Sequence, residues 1–420
     1  MTETQERMLR AIESRQDELY DLLCRLVRVD SQSFGSTGRE KAMAELVADE
    51  LRSLGLEPDV YSPEDIPGFR ENPDYLPGRH LENRPNVTAV LPGAGEKKLC
   101  LMGHSDTVPV GDPASWTVEP FAGMLRDGAI WGRGSTDDKY AIAAVLFLMR
   151  LMRDEGISLP YTLLFTAYCD EEAGGSHGAL ASVLRYPVDD IVNLDCKNFE
   201  IWKAASGGGC MDIRFRAKTP QDSCLSVIPG LTAVTEALEA FRERRKTEFL
   251  ADPVYADTVI PHTAMRIMEA GVGSGGCDMD KGHVSITFYT RLSREEFASE
   301  RALLEKDIAA RLAPLGLELT ETVMTTRFFH YGVSDGENPC MDALIRAAKD
   351  ASGRTLTPCG SCLSDLSVLL KYGSPRAFAF GIGRDFNAYG GSHQPDEHLF
   401  CENLLEYAKI LGAFLLEYGK

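Results

Sequence analysis

Lys98-Leu99-Cys100-Leu101-Met102-Gly103-His104-Ser105-Asp106 is a strand-length apolar run that stops at a glycine and then delivers an imidazole and a carboxylate. The arrangement recurs along the chain. Tyr161 to Ala167, rich in β-branched and aromatic residues, leads into Asp170-Glu171-Glu172, and Asp190 to Leu194 delivers Asp195. Arg376 to Ile382 leads through a Gly-rich loop to Gly391-Ser392-His393. Helical segments lie between and after these runs: Asp138 to Met152, with Ala141, Ala143, Ala144, Leu146 and Met149, and Glu402 to Tyr418 at the end. Such alternation predicts an α/β fold with a mostly parallel sheet covered by helices. In open sheets of this kind the carboxyl ends of the strands form the ligand crevice. Four of these ends carry hard or borderline ligands, and Asp137 opens the Ala-rich helix after Gly132-Arg133-Gly134.

Outward from this framework the texture changes. Leu19, Leu22, Leu23, Leu26 and Val27 repeat at helical spacing. Residues from about Ser62 to Arg84 are rich in Pro, Asp, Glu, Asn and Gly and read as a long surface loop. Gly207-Gly208-Gly209 reads as a hinge. Beyond it come a strand (Cys210 to Ala217), a helix (Gly230 to Lys246), a Gly-rich loop, a strand (Val284 to Arg291) and a helix (Arg294 to Leu315). This predicts an α+β domain over residues 209–325, inserted into a main domain of residues 1–208 and 326–420.

A 420-residue chain with 44% hydrophobic and 25% charged residues has the composition of a two-domain globular protein. A formal charge of −19 argues against a nucleic-acid partner, and Arg242-Glu243-Arg244-Arg245-Lys246 reads as a solvated helix face. The polar, acidic start Met1–Arg7 lacks the basic-then-apolar pattern of an export signal, and the apolar stretch near Ala141 to Met152 is too short to span a bilayer. Eleven scattered cysteines suit the reducing cytoplasm better than export.

A lone Gly-His-x-Asp is ordinarily a turn, and a lone Asp-Glu-Glu is ordinarily a solvated patch or a helix cap. Their joint occurrence after separate strands is what points to a metal site. Two imidazoles with several carboxylates suit zinc, manganese or cobalt better than magnesium or calcium. Two divalent ions roughly 3.5–4 Å apart need a carboxylate between them and a further carboxylate to handle protons.

These residues carry a resemblance. Gly103-His104-Ser105-Asp106-Thr107-Val108-Pro109, then Trp116 and Pro120-Phe121 with Gly132-Arg133-Gly134-Ser135-Thr136-Asp137-Asp138-Lys139, form the first part of it. Thr166 with Asp170-Glu171-Glu172 and Gly178, and His393 with Glu397, complete it. In this order they resemble the aminoacylase, acetylornithine deacetylase, succinyl-diaminopimelate desuccinylase and carboxypeptidase G family of two-metal peptidases and amidohydrolases. The resemblance implies a zinc-exopeptidase α/β domain with an inserted lid domain that often forms a homodimer. It implies that His104 and Asp195 bind one ion, that Glu172 and His393 bind the other, and that Asp137 bridges them. It further implies that Asp106 orients His104, that Glu171 is the general base, and that the Asp137–Asp138 peptide is cis. Arg291 would hold a substrate carboxylate; the competing reading pairs it with Glu295 or Glu296.

The chain departs from the family in three places. Tyr140 stands where a glycine usually follows the lysine of the second motif, and reads as a helix residue of little consequence. The histidine that stabilises the oxyanion in many members is missing from Ala217-Lys218-Thr219-Pro220-Gln221-Asp222-Ser223, which leaves Gln221 or His262 for that role. The expected asparagine is also missing from Gly275-Gly276-Cys277-Asp278. Cys359-Gly360-Ser361-Cys362 has redox spacing but lies in a Gly/Ser loop, and reads as a loop on the substrate side. Three functions follow as expectations: a dipeptidase or small-peptide hydrolase, favoured because Asp195 resembles the peptidase branches of the family where deacylase branches tend to have Glu; an N-acyl-amino-acid deacylase; and a binding protein that keeps the metals without turnover.

Overall fold

The structure, a computed structural model, describes residues 1–219, 223–274 and 277–420. Four parallel strands form the centre of the main sheet, in the order Thr162–Tyr168, Lys98–His104, Asp190–Asn193, Phe378–Phe380. They are the four runs that lead to the candidate ligands. Because they are parallel, their carboxyl ends all open on one edge of the sheet. Antiparallel strands flank this centre: Asn86–Leu91 and Asp59–Tyr61 on one side, Ile201–Ala205 on the other.

The helix Lys139–Asp154 is buried along nearly its whole length except at the Arg150, Arg153 and Asp154 end, in keeping with a predominantly apolar sequence. It packs against the strand Lys98–His104 and the helices Gln16–Val27 and Cys401–Leu415. A small antiparallel ladder joins Ala129–Trp131 to His398–Phe400, with Trp131 opposite His398. The ladder sets the loop after Trp131 beside the loop before His398, and those two loops carry Asp137 and His393.

By its contacts the chain divides into one unit of residues 1–203, 333–358 and 368–420 and another of residues 204–332 and 359–367. The second unit has its own antiparallel sheet, in the order Met265–Ser274, Cys277–Thr290, Gly207–Ala217, Leu317–Met324. Its helices Ser223–Leu250 and Arg294–Leu312 cover a core that includes Phe215, Phe241, Ile286, Phe288 and Ile308.

Three expectations need correction. Met265–Ser274 is a strand, although its second half belongs to a Gly-rich stretch that reads as a loop. Gly207, Gly208 and Gly209 lie inside a ladder opposite Thr290, Tyr289 and Phe288 rather than in a free connecting loop. Gly208 has φ +122°, and a Cβ there would meet the Phe288 carbonyl oxygen at 2.1 Å. The position needs glycine for close strand approach. The stretch Ser62 to Arg84 is not simply a surface loop either, because it buries Phe69, Leu81 and the whole of Arg84.

Candidate metal centre

His104 ends its strand with its ring fully buried. Its Nδ1 lies 3.0 Å from the Asp106 carbonyl oxygen and 3.6 Å from Asp106 Oδ1, and its Nε2 lies 3.0 Å from Asp137 Oδ1. The other oxygen of that carboxylate, Asp137 Oδ2, lies 3.2 Å from His393 Nε2, which is also 2.9 Å from Glu172 Oε2. One carboxylate therefore turns one oxygen toward each of two imidazoles. Donor atoms of His104, Asp137 and Glu172 lie within 4.8 Å of one another, and so do those of His104, Glu171 and Asp195. The Asp137–Asp138 peptide is cis. All the sequence-predicted ligands are thus gathered at one place, together with Glu171.

Buried polar groups hold each contributing loop. Asp106 accepts from the amides of Glu171 and Glu172, each at 3.2 Å. Its carboxylate therefore holds the Glu171–Glu172 turn, while its backbone carbonyl oxygen is the atom within hydrogen-bond distance of the His104 ring. Asp170 has a left-handed backbone, φ 61°. Its carboxylate is clamped between Arg84 Nη1 at 2.8 Å and His177 Nδ1 at 2.5 Å, and Arg84 also reaches Glu40 at 2.6 Å. Glu397 Oε1 accepts from the amides of Gly134 and Thr136 at 3.0 and 2.9 Å, while its other oxygen pairs with Arg133. The last motif thereby fixes the loop that presents Asp137.

The electrostatics follow from this crowding. Burial works against charge on His104, yet Asp106, Asp137 and Glu171 outweigh it and hold the ring well above the ordinary imidazole pKa. His393 behaves in the same way, with Glu172 and Asp137 prevailing over burial. Burial also opposes ionisation of Asp106, but His104, Arg84 and the Glu171 amide keep it below the usual carboxylate range.

Sequence reasoning missed the clamp on Asp170. Nothing in the Pro- and Asn-rich stretch before Arg84 marks that guanidinium as buried. It also undervalued Tyr140, which is fully buried beside the strand that delivers Asp195. In the second unit, Arg291 Nε lies 3.0 Å from Asp252 Oδ2 and its guanidinium lies 5.2 Å from the centre of the Tyr331 ring. Its acidic partner is thus Asp252, not Glu295 or Glu296. His262 is exposed on the turn Ile260–Thr263, and Gln221 lies outside the described residues, as do Gly275 and Gly276. Among the described residues no helix is long and apolar enough to cross a membrane.

The strand ends and their donor set form a cluster able to hold metal ions. The chain matches the peptidase family M20/M25/M40 over residues 100–417, and it belongs to that family. An uncharacterized metallohydrolase of Methanococcus maripaludis is 34% identical over 367 residues, covering 78% of this chain and 82% of that protein. The succinyl-diaminopimelate desuccinylase of Paracoccus denitrificans is 39% identical over 105 residues, which is 24% of this chain and 26% of that enzyme. Among solved structures, human carnosine dipeptidase 1 has the same fold with a TM-score of 0.70 at 18% identity, covering 98% of this chain and 99% of that one. The dipeptidase Dug1p of Saccharomyces cerevisiae matches with a TM-score of 0.73 at 17% identity, covering 100% and 99%.

Proposed function

We propose that the protein is a cocatalytic two-metal hydrolase that cleaves the amide bond of a dipeptide or small peptide. The observation that carries this reading is the Asp137 carboxylate, with one oxygen 3.0 Å from His104 and the other 3.2 Å from His393. The donor set also fits a pair of cations. Asp137, Glu171, Glu172 and Asp195 bring four carboxylates against two imidazoles, an excess of negative charge that calls for bound positive charge. His104 and Asp195 would hold one ion, Glu172 and His393 the other, with Asp137 shared; zinc suits the donors best, then manganese or cobalt.

When bound, the ions would activate a water molecule and polarise the scissile carbonyl. Glu171 is placed to take a proton from the attacking water and return it to the leaving nitrogen. Asp106 holds both the His104 ring and the amide of Glu171, so it keeps donor and base in register. Arg291 would bind a free substrate carboxylate, and Gln221 or His262 would stabilise the oxyanion. We place the enzyme in the cytoplasm and, through the second unit, in a homodimer; Ile267 and Met268 are exposed on the edge strand Met265–Ser274.

Asp at position 195 supports a peptide substrate, and two dipeptidases share the fold over nearly their whole length. The second reading, an N-acyl-amino-acid deacylase, draws on the segment shared with the desuccinylase. A hydrolysis screen over dipeptides and N-acyl amino acids with zinc, manganese and cobalt decides between them. Turnover confined to N-acyl substrates would replace the first reading by the second. No turnover with either class, from protein that retains both metals, would favour a binding protein.

A further inference from the structure

We propose that Tyr140, through its hydroxyl, is a positioning residue for Asp195; this rests on the reading of Asp195 as a metal ligand. Tyr140 belongs to the first turn of the helix Lys139–Asp154, two residues after the Asp137–Asp138 pair. Its Oη lies 2.8 Å from the Leu194 carbonyl oxygen and 2.9 Å from the Cys196 carbonyl oxygen. Those are the carbonyls of the residues immediately before and after Asp195. The same oxygen accepts from the Ile382 amide at 3.1 Å. A single hydroxyl, sharing one proton between two carbonyls and accepting from a third peptide, thus ties together the ends of two adjacent parallel strands.

The neighbouring backbone is shaped around this hydroxyl. A Cβ on Gly381 would fall 2.2 Å from Tyr140 Oη and 2.4 Å from the Leu194 carbonyl oxygen. Glycine at 381 and tyrosine at 140 therefore fill one space between them. The ring is anchored independently of the hydroxyl, edge-on to Tyr407 with centroids 5.4 Å apart. Asp195 lies just beyond the end of its strand, where the ladder has thinned to the Leu194 amide on the Met102 carbonyl oxygen at 2.7 Å and the Gly383 amide on the Cys196 carbonyl oxygen at 2.9 Å. Its carboxylate must nevertheless stay within reach of His104 and Glu171. Groups that orient a metal ligand without touching the metal typically govern affinity by about 10–100-fold.

The test is a stepwise cobalt titration of the full-length apoprotein, followed by visible absorption and calorimetry, for wild type, Tyr140→Phe, Tyr407→Phe and Asp195→Asn. Tyr407→Phe removes a comparable buried hydroxyl, one that donates to the Phe380 carbonyl oxygen at 3.2 Å. Tyr140→Phe is expected to weaken by about 10–100-fold the same binding step that Asp195→Asn weakens, and to leave the other step within about twofold. Tyr407→Phe is expected to leave both steps unchanged. If Asp195→Asn weakens one step and Tyr140→Phe weakens neither, the positioning role is overturned and the metal assignment stands. Equal weakening of both steps by the two Tyr→Phe variants would show general loosening and overturn it as well. If Asp195→Asn alters neither step, the ligand reading fails, and the proposal with it.

Discussion

The metal centre and the sheet surface of the second unit use the same charged residue types under opposite physical conditions. Around the metal centre the charges are buried and interlocked: Arg84 and its partners Glu40 and Asp170 are fully hidden, and Glu397 is enclosed by Arg133 and the 134–136 amides. In the second unit, Arg214 with Glu321 and Arg216 with Glu318, each 2.7 Å apart, face water across adjacent strands. A buried ion pair gains little over apolar packing, but leaving one partner alone is expensive. An exposed pair is screened by solvent and salt, and neither partner suffers much alone. The first network is therefore a device for holding loops in one geometry, while the second chiefly keeps a sheet surface soluble.

This contrast can be broken most decisively at its chemical centre. Glu171→Gln keeps the size of the side chain and should leave metal content intact, while turnover falls by about 10²–10⁴-fold. Elemental analysis alongside steady-state rates checks both halves; a variant that retains most of its activity would show that another carboxylate is the base.

Next in size is the clamp. Arg84→Met removes the cation and keeps much of the bulk, which leaves Asp170 and Glu40 buried with a deficit of positive charge. Urea unfolding of the apoprotein should show a loss of about 3–5 kcal/mol. A loss below about 1 kcal/mol would mean that this network is no more consequential than the exposed pairs.

The contrast also explains what could be read in the chain beforehand. The ligand-bearing loops were legible because each follows a strand whose apolar run is written locally, and because chemistry restricts the residue types that can follow. The parallel centre of the sheet was legible for the same reason. Arg84 was not, because its burial depends on Glu40 and Asp170, which are distant in sequence. Tyr140 was undervalued for a similar reason: its hydroxyl acts on peptides at 194, 196 and 382. The strand Met265–Ser274 was hidden by Gly271 and Gly273, since its extended form is held by pairing with Cys277–Thr290 rather than by its own residues.

Arg291 tests the boundary between the two kinds of charge, since it is half-exposed and already engaged with Asp252. If it also receives a substrate carboxylate, Arg291→Ala should lower kcat/KM by about 10–100-fold for substrates with a free carboxylate and spare their amides, in line with a charge-assisted bond of about 1.5–3 kcal/mol. Equal losses on both substrate types, with lower stability, would assign Arg291 to the Asp252 pair alone.

The smallest effect is expected where the charges are most exposed. Arg214 and Glu321 stand directly opposite each other in the antiparallel ladder, with side chains 49% and 48% exposed. Cross-strand register holds the pair together, but water competes for both partners, and Arg214 already has a second carboxylate in Asp212 at 3.1 Å. A double-mutant cycle of Arg214→Ala and Glu321→Ala should therefore give a coupling of only about 0.2–1 kcal/mol, shrinking as salt is added. Either single variant should leave turnover unchanged if the pair serves the sheet surface alone. A salt-insensitive coupling above about 2 kcal/mol would mean that the pair is shielded from water in solution, and the sheet surface would then no longer differ in kind from the metal centre.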